Sequence, residues 1–89
     1  MENEYLPIVE SFFKNNPKLY KESTPAQKAE IARNLAKEIS SQVQWATHRI
    51  AEQEFTPEMD ETQRYGILNM ARLRAEELAL NNVLYELLS

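Results

Sequence analysis

The sequence predicts an all-α protein, in which a short N-terminal helix precedes a long antiparallel hairpin of two helices. Three observations indicate this fold class. The chain contains one glycine and four prolines, so few positions interrupt a helix. Two prolines follow a threonine, a pair typical of helix starts. Apolar residues recur every three or four positions, which is the helical period. We therefore expect one helical domain over residues 1–89, a three-helix bundle.

The first helix is predicted over about residues 4–15. Its apolar residues share one face and are Tyr5, Ile8, Val9, Phe12 and Phe13. The helix should end before Pro17, because the residue that precedes a proline avoids the helical conformation. In the link that follows, we expect Leu19 and Tyr20 to pack on the hairpin.

The second helix is predicted over about residues 24–54. The Thr24 side chain is suited to accept a bond from a free amide of the first turn, and Gln27 completes a capping box. Pro25 fits the first helical position, where no amide hydrogen is needed. The following residues are good helix formers without glycine or proline. One apolar stripe runs along the helix and comprises Ala32, Leu35, Ile39, Val43, Ala46 and Ile50.

The third helix is predicted over about residues 57–88. Thr56 and Pro57 repeat the pattern of the second helix start, and Asp60 with Gln63 forms an alternative cap one turn later. The loop before this helix is short, so the two long helices should lie antiparallel.

The third helix carries two apolar faces. With 100° per residue, one set contains small residues that favour close approach to helix two: Ile67, Leu68, Ala71, Ala75, Leu78 and Tyr85. The opposite set is Gly66, Met70, Leu73, Leu80, Leu84, Leu87 and Leu88. This second set spans about 33 Å, whereas the first helix spans about 15–18 Å. Helix one can therefore cover only about half of it, and the sequence predicts that the half near the C-terminus stays exposed.

The uncovered face predicts a protein-binding surface. Its expected contact residues are Met70, Leu73, Leu80, Leu84, Leu87 and Leu88. Their spacing near 3.5 residues is typical of a coiled-coil seam, so the expected partner is helical. It is either a second copy, which would make a homodimer and a larger helical bundle, or a different protein. The alternative is a closed monomeric bundle, in which helix one and the link fold over the C-terminal leucines.

Trp45 is a further candidate for partner binding. It lies about 120° from the centre of the apolar stripe of helix two. If its side chain is exposed, it is a candidate anchor, because aromatic residues are enriched at interface hot spots. The alternative is that Phe12 and Phe13 of helix one pack against it.

Composition excludes several classes of chemistry. The chain has no cysteine for a thiolate site and one glycine, too few for a phosphate-binding loop. His48 and Glu52 lie four residues apart, but two ligands do not complete a metal site. We therefore expect no enzyme activity, no cofactor and no metal. Acidic residues near the N-terminus and the lack of a long apolar run predict a small acidic cytoplasmic protein without membrane contact.

The expected function is that of a non-enzymatic protein–protein interaction module, such as an adaptor, co-chaperone or inhibitor. In layout alone, the chain resembles the small helical-hairpin co-chaperones of type III secretion and the compact acidic inhibitors carried by phages. The alternative function rests on the segment AEIARNLAKEISSQVQW, which resembles a helix-turn-helix DNA reader and implies a regulatory protein that contacts nucleic acid. The net charge of −4 opposes this alternative.

Overall fold

The computed structural model describes residues 3–88, and these residues form an all-α fold, as the sequence predicts. Helix α1 spans Leu6–Asn15, α2 spans Pro25–Glu54 and α3 spans Glu61–Val83. A short 3₁₀ helix, Tyr85–Leu88, follows α3. Helices α2 and α3 form the hairpin, and α1 packs mainly on α2.

Small residues line the contact between the two long helices. On α2 they are Ala32, Ala36 and Ala51, and on α3 they are Ala71, Ala75 and Ala79, all of them buried. Because an alanine projects only a methyl group, the helix backbones approach closely while burying little apolar area. The predicted inward position of Ala71 and Ala75 is confirmed. The largest fully buried side chains are Ile39, Leu84 and Val9, one from each part of the fold.

Reciprocal capping bonds set the start of both long helices. The Gln27 amide donates to Thr24 Oγ1 at 3.1 Å and the Thr24 amide donates to Gln27 Oε1 at 2.9 Å, which confirms the predicted start of α2. Asp60 and Gln63 make the equivalent pair of bonds, at 2.8 and 3.1 Å. The start expected near residue 57 is therefore wrong. The helix begins one turn later, where the Asp60 side chain accepts a hydrogen bond from a free amide of the first turn.

Helix α3 also ends earlier than predicted, because the sequence predicts a helix that continues to about residue 88. The α-helix stops at Val83, and the last turn tightens to 3₁₀, with the Leu87 amide donating to the Leu84 carbonyl at 3.0 Å. Such tightening is common at helix C-termini, where the last carbonyls have no partner further along the helix.

Helix α1 lies against one half of the hairpin. Tyr5 and Val9 are buried there. Asn3 Nδ2 donates to the Ala36 carbonyl at 3.0 Å, which fixes the segment before α1 to α2. In the link, the Tyr20 ring lies 5.5 Å from that of Phe13, measured between centroids, so this contact is with α1 and not with the hairpin as expected.

The molecule is elongated, because the hairpin extends beyond α1. Its principal extents are 55, 30 and 17 Å, and its radius of gyration is 16.0 Å, whereas about 12 Å is typical of a compact domain of this length. The accessible surface is 6844 Å². A compact monomer of this mass exposes about 5,400 Å². The chain thus exposes about 1,400 Å² more than a compact protein of its size.

Candidate protein-binding surface

Helix α1 covers the C-terminal leucines that the sequence predicts to be exposed. Leu84 is only 2% exposed, and Leu80 and Leu87 are half-buried against the core that contains Phe12 and Phe13. The expectation of a free surface at Leu84 is therefore wrong. The physical reason is the chain connection: α1 is tethered to the start of α2, and in an antiparallel hairpin the end of α3 lies beside that start. Leu88 remains about half exposed.

Two exposed apolar residues of α3 lie closer to the loop end of the hairpin than the C-terminal leucines do. Met70 is 61% exposed and Leu73 is 66% exposed. Both belong to the predicted partner-binding set, and neither is buried under α1.

Three residues expected to face α2 are exposed instead. They are Leu68, Leu78 and Tyr85. The buried stripe of α3 steps by four residues, from Ala71 through Ala75 and Ala79 to Val83. Four residues turn a helix by about 400°, so the stripe drifts by about 40° at each step. The large side chains therefore fall beside the contact with α2, and only the small ones fall on it.

A groove of about 610 Å³ opens between α2 and α3 near the loop that joins them. We call it the distal groove, lined by Ile50, Glu54, Met59, Gln63, Gly66, Ile67, Met70, Ala71 and Arg74. Five of these nine residues have apolar side chains, and no residue of α1 contributes to the groove. Its volume lies within the range of ligand and peptide clefts. Of the sequence-predicted site residues, only Met70 lines it.

Gly66 lies in the wall of the distal groove. It lies inside α3 with no positive φ. A Cβ atom built on it would meet nothing within 4 Å in this chain. Glycine inside a helix costs about 1 kcal/mol relative to alanine. The described fold gives no steric reason for this cost. A glycine inside a helix, away from any turn, is the sequence signal that could have pointed to the groove.

Two charged side chains lie at opposite ends of the distal groove. Glu54 is the last residue of α2, at the loop end. Arg74 lies about 20 Å along α3 from its first residue, at 1.5 Å per residue. Both are exposed, and among residues 3–88 neither takes part in an ion pair or side-chain hydrogen bond.

Trp45 lies on a different surface from the distal groove. Trp45 is 66% exposed, and Arg49 Cζ lies 5.1 Å from the centroid of its ring, in a cation–π arrangement. The alternative in which Phe12 and Phe13 cover this ring is wrong, because those rings pack against Tyr85 and Tyr20. Trp45 therefore does not join the exposed residues of α3 in one patch.

A charged cluster joins the N-terminal segment to α3. Arg72 Nη2 donates to Glu4 Oε1 at 2.6 Å, and Arg72 Nε lies 3.8 Å from Glu76 Oε1. The Tyr5 hydroxyl is buried beside this cluster. Burial raises the pKa of Tyr5 above its ordinary value of 10.0, and this effect outweighs the nearby Arg72 guanidinium, which favours the phenolate. The Tyr5 hydroxyl and Glu4 in turn raise the pKa of Arg72.

The described residues offer no cluster of three metal-ligating side chains. His48 Nε2 and Glu52 Oε1 lie 3.7 Å apart on the exposed face of α2. Helix α2 is continuous through Ala36 and Glu38, where a helix-turn-helix motif would need its turn, so the geometry of that motif is absent from this segment. Within residues 3–88, no helix has the length and hydropathy needed to cross a membrane.

Comparisons of the chain with models of known protein families, with curated proteins and with solved structures found no match.

Proposed function

We propose that this chain is a non-enzymatic protein-binding module whose contact surface is the distal groove together with the exposed residues Met70 and Leu73. The observation that supports this most directly is the surplus of about 1,400 Å² of accessible surface over a compact monomer. A standard protein interface buries about 800 Å² on each partner. The surplus is therefore large enough to supply one such interface.

The chemistry of the surface supports binding of an apolar helical face. Met70 and Met59 have flexible, polarisable side chains that adapt to a partner surface. Ile50, Ile67 and Ala71 form an apolar floor between α2 and α3. A groove between two adjacent helices can accept the apolar stripe of a third helix, which is a recurring mode of peptide recognition. A protein that binds a partner helix in this way would act as an adaptor, co-chaperone or inhibitor, and we propose that it acts in the cytoplasm.

Site-specific photo-crosslinking in the cell of origin tests this proposal. A photoreactive amino acid replaces Met70 in one variant and Lys37, an exposed residue of α2, in the matched control. We expect a defined protein adduct from position 70 and none from position 37. In a further variant, the photoreactive residue is at position 67 and Met70→Glu is added. This variant should give no adduct, because binding of the partner would strip the water from the introduced carboxylate and is therefore unfavourable. Equal labelling from positions 37 and 70 would contradict the proposal.

Salt dependence separates this function from contact with nucleic acid. Burial of apolar surface is insensitive to salt screening, so the adduct from position 70 should persist in high salt. Contacts to phosphate weaken steeply as salt rises, because they release condensed counterions.

A further inference from the structure

We infer that the occupant of the distal groove is a second copy of this chain, docked antiparallel across a two-fold axis. This inference rests on the proposed function and names its partner. Two features of the groove carry it, the charges at its two ends and the glycine in its wall, and the surplus accessible surface of the whole chain is large enough for a two-fold interface.

The charges of the groove are complementary to themselves. In a two-fold interface, residue i of one copy meets residue j of the other, and j meets i. A two-fold axis perpendicular to the hairpin places Arg74 of one copy against Glu54 of the other, and does so twice. An axis parallel to the hairpin would instead place Glu54 against Glu54 of the second copy and Arg74 against Arg74. Both contacts would join like charges, which is unfavourable. The unpaired Glu54 and Arg74 therefore specify the antiparallel arrangement.

The centre of this arrangement falls at the apolar part of the groove. The loop between α2 and α3 has six residues, so Glu54 lies opposite the first turn of α3. Midway between that turn and Arg74 lie Ile67 and Met70. The two-fold axis thus brings Met70 against Met70 of the second copy, where flexible side chains suit a symmetric contact.

Gly66 supplies an independent reason for a helix at this position. Nothing in the described chain approaches the place of its missing Cβ atom, yet a glycine inside a helix weakens it. Close approach of another backbone is a common use of glycine. In the antiparallel dimer, α3 of the second copy crosses near Gly66, because Gly66 lies one turn from Met70.

A charge exchange tests the arrangement, with the molar mass in solution as the readout. The full chain should pass from one chain mass to two over a concentration series. Glu54→Arg and Arg74→Glu should each raise the dimer dissociation constant roughly tenfold at low salt, since both pairs become like charges. An equimolar mixture of these two variants should return to within about threefold of the wild type, because each variant supplies the charge that the other needs. Arg33→Glu, on exposed α2 surface away from the groove, is the matched control and should leave the constant unchanged.

Gly66→Ala separates association from folding. Below the association range, it should raise the folding equilibrium constant about fivefold, since alanine favours the helix. It should raise the dimer dissociation constant roughly tenfold, because the added methyl group overpacks the contact. A variant that folds more stably and yet associates less cannot be explained by loss of structure.

Two results overturn the inference: a single chain mass at every concentration, or no gain in mass when the two charge variants are mixed. If a photoreactive residue at position 70 then labels a different protein, the protein-binding function stands and only the second copy is wrong. If it labels nothing, the proposed function fails as well.

Discussion

The rings of Phe12 and Tyr85 meet edge to face, with centroids 5.9 Å apart and planes at 75°. This pair joins α1 to the 3₁₀ helix that follows α3, so these two helices close one half of the hairpin together. The other half, with the distal groove, has no such cover. The hairpin is thus divided into a covered half and an uncovered half.

Leu84 and Leu73 should differ sharply in their contribution to stability. Leu84→Ala removes a buried side chain and should lower the free energy of unfolding by about 2–5 kcal/mol. Leu73→Ala alters an exposed side chain and should change it by no more than about 0.5 kcal/mol. Urea unfolding followed by circular dichroism, at concentrations below association, measures both. Equal losses would place Leu84 outside the core.

Asp60 and Thr56 provide a matched test of where α3 begins. Asp60→Ala removes a side chain that accepts a hydrogen bond from the Gln63 amide, and should lower the stability by about 1 kcal/mol. Thr56→Ala should lower the stability by no more than about 0.5 kcal/mol, because Asp60 and not Thr56 is the N-cap residue of α3. The reverse order of the two losses would restore the start near residue 57.

Stability should fall in alkaline solution, and Tyr5 should account for part of that fall. The folded-state pKa of Tyr5 is raised above 10.0 by burial, so the folded chain holds this proton more tightly than the unfolded chain. The contribution to stability is complete below the unfolded pKa near 10 and is lost as the pH rises through the folded pKa. Tyr5→Phe should unfold less steeply with pH in this window. Identical alkaline unfolding of the two proteins would show that Tyr5 is not desolvated.

Trp45 should report on solvent in the folded chain. It is the only tryptophan, and the residue is 66% exposed, so a neutral quencher should reach it almost as readily as in the unfolded chain. Trp45→Phe should change stability by no more than about 0.5 kcal/mol. Quenching that increases strongly on unfolding would mean that another part of the chain covers the ring.

Several features of this protein follow from residues that lie close together in sequence. Thr24 with Gln27, and Asp60 with Gln63, are capping boxes whose bonds form within one turn, so the sequence specifies them directly. It left open whether Thr56 or Asp60 caps α3, because both match the same pattern and the difference is one turn. The inward position of Ala71 and Ala75 agrees with the helical period, although the same period also placed Leu68 and Leu78 on the inward face, where they are not found.

The sequence by itself determined the helices, their antiparallel order and the excess of apolar residues on α3. Only the tertiary structure decided which part of that excess is covered. The nine-residue link between α1 and α2 holds α1 beside Leu84. The alanine stripe of α3 drifts by about 40° at each step, which turns Leu68 and Leu78 away from α2. Periodicity describes one helix in isolation, whereas burial depends on where the neighbouring helix lies and on the length of chain that holds it there.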